Sequence, residues 1–210
     1  MKKQFSIAAV FLGLAWAWGA PISAANIIDE WSEVKAPPAP ALREAKVDPK
    51  TTALLSLDFM SQTCNKERRP RCYDSLPSAK TLLTKARANG LFIVHGVVTN
   101  GTAAEIVSDV APVSGEPYFV GGHDKFFNSD LEKTLRDHGV TTVIVTGTSA
   151  NGAVLYTASG AAFRGFNVIV PVDAMSSDDR YLEQFTAWQL AKDTTFSQRV
   201  TLTKSDMIGF

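Results

Sequence analysis

Histidine and cysteine are scarce in this 210-residue chain, three of the first and two of the second, and that shortage leaves little for metal chemistry. Charge of one sign is missing too. Lys and Arg number 21, as do Asp and Glu, so no surface of like charge points to a nucleic-acid partner. No internal repeat and no second domain can be read. A twin arginine and a lipobox-like cysteine are both absent from the N-terminus. What stands there is Lys2 and Lys3, an apolar run over residues 5–20 that is short for a membrane span, and Pro21 before Ile22-Ser23-Ala24-Ala25. This layout predicts a signal peptide over residues 1–25, cut before Asn26 or after Ala24. The mature protein is then periplasmic or secreted, with no membrane attachment once the signal is removed.

The rest is an ordinary globular composition, 45% hydrophobic and 20% charged, with enough residues for one core. Residues 26–50 are rich in Ala and Pro and read as an extended arm, followed by one domain over 51–210. In the domain, strands alternate with helical patterns. Ala53-Leu54-Leu55-Ser56-Leu57 is a buried strand ending at Asp58. Helical spacing runs over residues 76–89. Leu91-Phe92-Ile93-Val94 is a strand ending at His95, and a short helix is expected over residues 103–109. Tyr118-Phe119-Val120 is a third strand. A helix capped by Asn128 or Ser129 runs to His138, and a strand centred on Val143-Ile144-Val145 follows. Phe166-Asn167-Val168-Ile169-Val170 leads towards Asp173, Ser176 or Ser177 caps a helix to about Lys192, and residues 199–203 form a closing strand before a last turn at Ser205. Such alternation predicts an α/β fold with a mainly parallel sheet covered on both faces. Ligands in such sheets bind beyond the carboxyl ends of the strands. That rule selects Asp58, His95, the segment after Val120, the turn over residues 147–152, and Asp173.

The turn is the most suggestive stretch. A strand breaks at Gly147, crosses Thr148-Ser149-Ala150-Asn151-Gly152 and continues as a helix from Ala153. Free N–H groups at such a helix start suit a carboxylate, a phosphate or a developing oxyanion, so an anionic small-molecule substrate or ligand is expected. No side chain in the turn is a strong nucleophile. Ser149 carries a hydroxyl, but nothing in the sequence marks a partner to activate it.

The segments LLSLDFM, DKFFNSDLEKTLRDHGVTTVIVTG, TSANGAVLYTASGAAFRGFNVIV and VDAMSS together resemble the isochorismatase-like hydrolases, over residues 51–203. The resemblance implies a three-layer α/β/α fold on a six-stranded parallel sheet, a homo-oligomer, a small-molecule substrate, and no cofactor. Most members carry an Asp, a Lys and a Cys, the last in a pattern like Gly-x-x-Thr-x-x-Cys-Val. Laid on this chain, Asp58 takes the place of the Asp and Ala153 that of the Cys. The Lys register falls near Val120, whereas the available lysine is Lys125. Backbone N–H groups of Ser149 and Ala153, beside Asn151, take the place of the oxyanion hole, and a cis bond is implied at Thr148–Ser149. The Asp-x-His pattern of metal-containing nicotinamidases is absent, since Phe59-Met60-Ser61 follows Asp58, so no metal is expected.

Cys64 and Cys72 bracket the loop TCNKERRPRC, and in an exported chain a disulfide is the leading reading. The alternative is Cys64 as a substitute nucleophile near Asp58. Arg68, Arg69 and Arg71 in this loop form either a solvated face or a recognition site for a substrate carboxylate. The functional expectation is an exported hydrolase of a small amide, ester or vinyl ether, with Asp58 in proton transfer. Two alternatives stand beside it. One is a non-catalytic binding or assembly protein on the same scaffold, and the other an inactive cysteine hydrolase with alanine in place of its cysteine.

Overall fold

The computed structural model describes residues 26–210, so the expected signal peptide lies outside the described residues. Residues up to Ala36 form a unit of their own: α1 (Ile27–Glu30), capped by Asn26 through a reciprocal bond with Asp29, and a 3-10 turn over Trp31–Glu33. The main unit starts at Pro37.

In chain order the main unit runs β1 (Ala45–Lys46), β2 (Thr52–Leu57), α2 (Pro70–Ala88), β3 (Phe92–Val98), β4 (Tyr118–Gly121), α3 (Leu131–Asp137) and β5 (Thr142–Thr148). It continues with α4 (Leu155–Phe163), β6 (Asn167–Pro171), β7 (Met175–Ser176), α5 (Arg180–Lys192), β8 (Val200–Thr203) and β9 (Ile208–Gly209). Six strands form the main path in the order β4-β3-β2-β5-β6-β8, all parallel, and two-residue β7 adds a seventh against the end of β5. β1 and β9 pair separately, so part of the expected arm is a strand.

Every residue of β2 is buried, as a central strand covered on both faces requires. Leu55, Val94, Val145 and Val168 face a core closed by α3, α4 and α5, while Leu54, Ile93, Ile144 and Ile169 face one closed by α2. The chain winds outward in one direction from β2 through β3 and β4, and in the other from β5 through β6 and β8. Their junction is the topological switch point, where a ligand crevice forms beyond the strand ends. Leu57 pairs with Gly147 there, so Asp58 leaves the sheet beside Thr148, the last residue of β5.

Several expected boundaries move. α2 begins at Pro70, a favourable first-turn residue, and takes in Cys72. The expected helix over 103–109 is two 3-10 turns. α3 starts at Leu131, with Ser129 Oγ accepting from the Leu131 N–H at 3.3 Å. Asp179, not Ser176 or Ser177, caps α5 by accepting from the Leu182 N–H.

β3 runs on to Val98, which puts His95 inside a strand and not at its end. Its ring is fully buried, with Nε2 2.8 Å from Glu116 Oε2. Burial lowers the His95 pKa, against the opposing pull of Glu116. Glu116 in turn accepts from Arg87 Nε and Nη2, both at 2.8 Å, and from the Val113 N–H at 3.0 Å. Burial would raise the Glu116 carboxyl, but bonds from Arg87, His95 and Val113 overcome it and bring it down to about 2. The cluster locks the edge of the sheet and holds no reacting group. Because the folded pKa lies below the ordinary value of 4.5, the stabilisation is present above that value and fades as pH falls towards 2. Glu116→Gln is expected to cost about 1–3 kcal/mol at neutral pH. In melts followed from pH 7 to pH 3 the gap to the wild type should narrow on the acid side.

Candidate active site

Asp58 sits one residue beyond β2 in a left-handed backbone conformation, φ 55°, which Asp tolerates better than most residues. Its N–H still donates to Gly96 O at 3.0 Å, tying it to β3. Lys125 Nζ lies 2.8 Å from Asp58 Oδ1, with the two side chains only 1% and 7% exposed. The contact is an ion pair more than an aligned hydrogen bond, since Asp58 Oδ1 has no well-directed donor. Burial raises the Asp58 pKa, opposed by the charges of Lys125 and His123. A carboxyl of this kind holds its proton to higher pH than a surface aspartate, which suits general acid–base work.

Lys125 therefore reaches the site even though the sequence register put the lysine position near Val120, which is exposed. Its four-carbon stem turns back, and Nζ donates to Val97 O and Gly121 O, each at 3.0 Å, at the ends of β3 and β4. Thr157 on α4 holds the segment in place. Its buried Oγ1 donates to His123 O at 3.0 Å and accepts from the Lys125 N–H at 3.2 Å. Gly96 leaves room for the stem: a β-carbon there would lie 3.0 Å from Lys125 Cε and 2.8 Å from Leu57 Cδ2. Gly96→Ala is expected to cost about 1–3 kcal/mol, the usual penalty of overpacking, and to loosen the Asp58–Lys125 contact. Chemical unfolding would measure the first and a crystal structure of the variant the second.

Across the switch point, the Thr148–Ser149 peptide bond is cis. A π-helical turn over Ala150–Val154 follows, and α4 starts only at Leu155. Ala153 is buried within this turn. Asn151 Oδ1 accepts from Ser177 Oγ at 2.6 Å, and the Ser177 N–H donates to Glu183 Oε1 at 2.9 Å. Glu183 is gripped by Arg71, whose Nε donates to Oε1 at 2.8 Å. A chain of polar contacts thus runs from the first turn of α2, just past the loop after β2, to the turn after β5.

That loop is closed by a Cys64–Cys72 disulfide, which leaves no free cysteine and rules out Cys64 as the substitute nucleophile. Arg69 pairs with Asp178 at 3.0 Å and Arg71 with Glu183, so these two arginines brace α5 and its approach instead of waiting for a substrate. Replacing both cysteines by serine is expected to cost about 2.5 kcal/mol, the chain-entropy value for so short a loop. Urea unfolding of the oxidised wild type and the variant gives the difference directly. Asp173 also leaves the site: its carboxylate accepts from Ser205 N–H at 2.8 Å and Ser205 Oγ at 2.6 Å, pinning the C-terminal turn. Among the described residues no three His, Cys, Asp or Glu side chains gather as a metal-holding group.

The structure brings Asp58 and Lys125 into contact and sets the 148–153 turn beside them across the switch point. The sequence gives no signal for Thr157 or Gly96, neither of which belongs to a recognisable pattern.

Residues 52–203 match the isochorismatase domain. An uncharacterized isochorismatase family protein of Bacillus subtilis, YaaI, is 27% identical over 104 residues, 49% of this chain and 57% of that one. The secreted isochorismatase effector Isc1 of Verticillium dahliae is 34% identical over 129 residues, 56% of this chain and 67% of that one. The matched stretches thus span between about half and two thirds of these relatives. Among solved structures, an isochorismatase family protein from Desulfovibrio vulgaris superposes with TM-score 0.68 at 22% identity, covering 75% of this chain and 95% of that one.

Proposed function

The chain belongs to the isochorismatase family, and on that premise we propose an exported hydrolase of a small amide, ester or vinyl ether that works without a thiol. The observation that carries this reading is the buried Asp58–Lys125 pair at the switch point, beside the turn after β5. Asp58 gives a proton to the leaving heteroatom or to the vinyl-ether carbon, and Lys125 stabilises the carboxylate left behind. Backbone N–H groups of Ser149 and Ala153, with Asn151 held by Ser177, are the donors for a developing oxyanion. Ala153 stands where cysteine members of the family carry their nucleophile. The only two cysteines are joined to each other, so no thiol can take its place.

Export is supported by the N-terminal pattern, by the disulfide, and by a relative described as secreted. The homo-oligomer implied by the resemblance is carried into this reading as a proposal.

The test is turnover of the purified, oxidised protein on a panel of p-nitrophenyl esters, anilides and vinyl ethers, with iodoacetamide present throughout. Hydrolysis insensitive to alkylation and lost in Asp58→Asn is the expected result. The alanine at position 153 favours a second reading, a non-catalytic binding protein. Thermal shifts with small carboxylates but no turnover on any class would select it.

A further inference from the structure

Ser149 and His123 come from separate segments and both border the space beside Gly152. A β-carbon built on Gly152 would stand 2.6 Å from Ser149 Oγ and 3.2 Å from both Nε2 and Cδ2 of His123. The absent side chain leaves a space that the hydroxyl and the imidazole both border. His123 is exposed and Ser149 half-buried, so both are open to a ligand from solvent.

The imidazole is held, not loose. Its main-chain O accepts from Thr157 Oγ1 at 3.0 Å, and its ring stacks on Tyr156 with centroids 5.9 Å apart and planes at 16°. The same threonine also bonds the Lys125 N–H, so His123 and Lys125, the partner of Asp58, share one support on α4. A positive charge on His123, as forms when it takes a proton, lowers the Asp58 pKa against the effect of burial.

We propose that Ser149 Oγ is the nucleophile for ester and amide substrates and His123 Nε2 the base that takes its proton. This rests on the hydrolase reading and names the attacking group that reading leaves open. In the first half, Oγ bonds to the carbonyl carbon as its proton passes to His123. The C–X bond then breaks as Asp58 protonates the leaving oxygen or nitrogen, leaving an acyl-serine, a charged imidazolium and a charged carboxylate. In the second half, water attacks the acyl carbon and gives its proton to Asp58. Oγ departs with the proton of His123, and both groups return to their starting states.

A fluorophosphonate probe tests this on the full mature protein, because it reports the nucleophile whatever the natural substrate. Peptide mass spectrometry is expected to find one adduct, on Ser149, absent from Ser149→Ala. His123→Asn should slow the labelling by about a hundredfold or more, as loss of a general base does. Melting temperatures of both variants should match the wild type, since neither side chain is buried. No adduct, an adduct on another serine, full-rate labelling of His123→Asn, or wild-type ester turnover by Ser149→Ala would each overturn the pair. Asp58→Asn separates the two proposals. If it is inactive while Ser149 in the wild type stays unlabelled, only the serine–histidine pair fails. If it turns over normally while Ser149 is labelled, only the Asp58 role fails.

Discussion

Asp58→Asn lowers kcat by roughly a hundred- to ten-thousandfold, the range for removing a general acid or base, and leaves the fold in place. The substitution is a clean one because Asn has the same shape and the same tolerance of the positive φ found at Asp58. What changes is the proton. Burial raises the Asp58 pKa, with Lys125 and His123 pulling the other way, so the protonated carboxyl persists above the ordinary 3.8. If Asp58 acts first as an acid, kcat falls as pH rises through that raised value, and this limb vanishes in Asp58→Asn. The sign for stability is the same. A raised folded-state pKa contributes most below 3.8 and less as pH rises through the folded value. At neutral pH the buried charge of Asp58 is therefore a cost offset by its partner, not a source of stability in itself. A pH–rate profile of both proteins, with circular dichroism to confirm the fold, measures the effect.

Lys125→Met is expected to destabilise the protein by about 2–4 kcal/mol in urea unfolding. Removing one member of a buried pair leaves the other uncompensated, which usually costs about 3–5 kcal/mol, and protonation of Asp58 relieves part of it. Here Lys125 Nζ also serves Val97 O and Gly121 O, so two strand-end carbonyls lose a donor with it. The double variant Asp58→Asn with Lys125→Met should recover most of the loss, because replacing a buried pair as a whole is often neutral. Additive losses in the double variant would mean that the two residues stabilise the fold independently and that their 2.8 Å contact is incidental.

Much of the sheet was legible because buried parallel strands are short apolar runs with helical spacing between them. Asp58 followed from that pattern, since a polar residue directly after a central strand falls at the crevice. The strand-end rule failed at His95 and Asp173. β3 continues past His95 because Gly96, Val97 and Val98 still pair with β4, and Asp173 finds Ser205, 32 positions away in sequence. Lys125 was in the wrong register for the family pattern, and its arrival depends on a turned-back stem and a Thr157 bridge that no local spacing encodes. His123 makes no metal-ligand spacing with the other histidines of the sequence. The space it borders with Ser149 depends on the absent side chain of Gly152, which the sequence shows as one more glycine in a turn. In each case the deciding contact joins segments distant in the chain.

The most direct test of the account is a crystal structure of the mature protein soaked with a small carboxylate. The account predicts one carboxylate oxygen about 2.7–3.1 Å from the N–H groups of Ser149 and Ala153, with Asp58 and Lys125 on the other side of the bound molecule. A carboxylate held elsewhere, with the Ala153 N–H bonded inside its own helix and turned from Asp58, would contradict it.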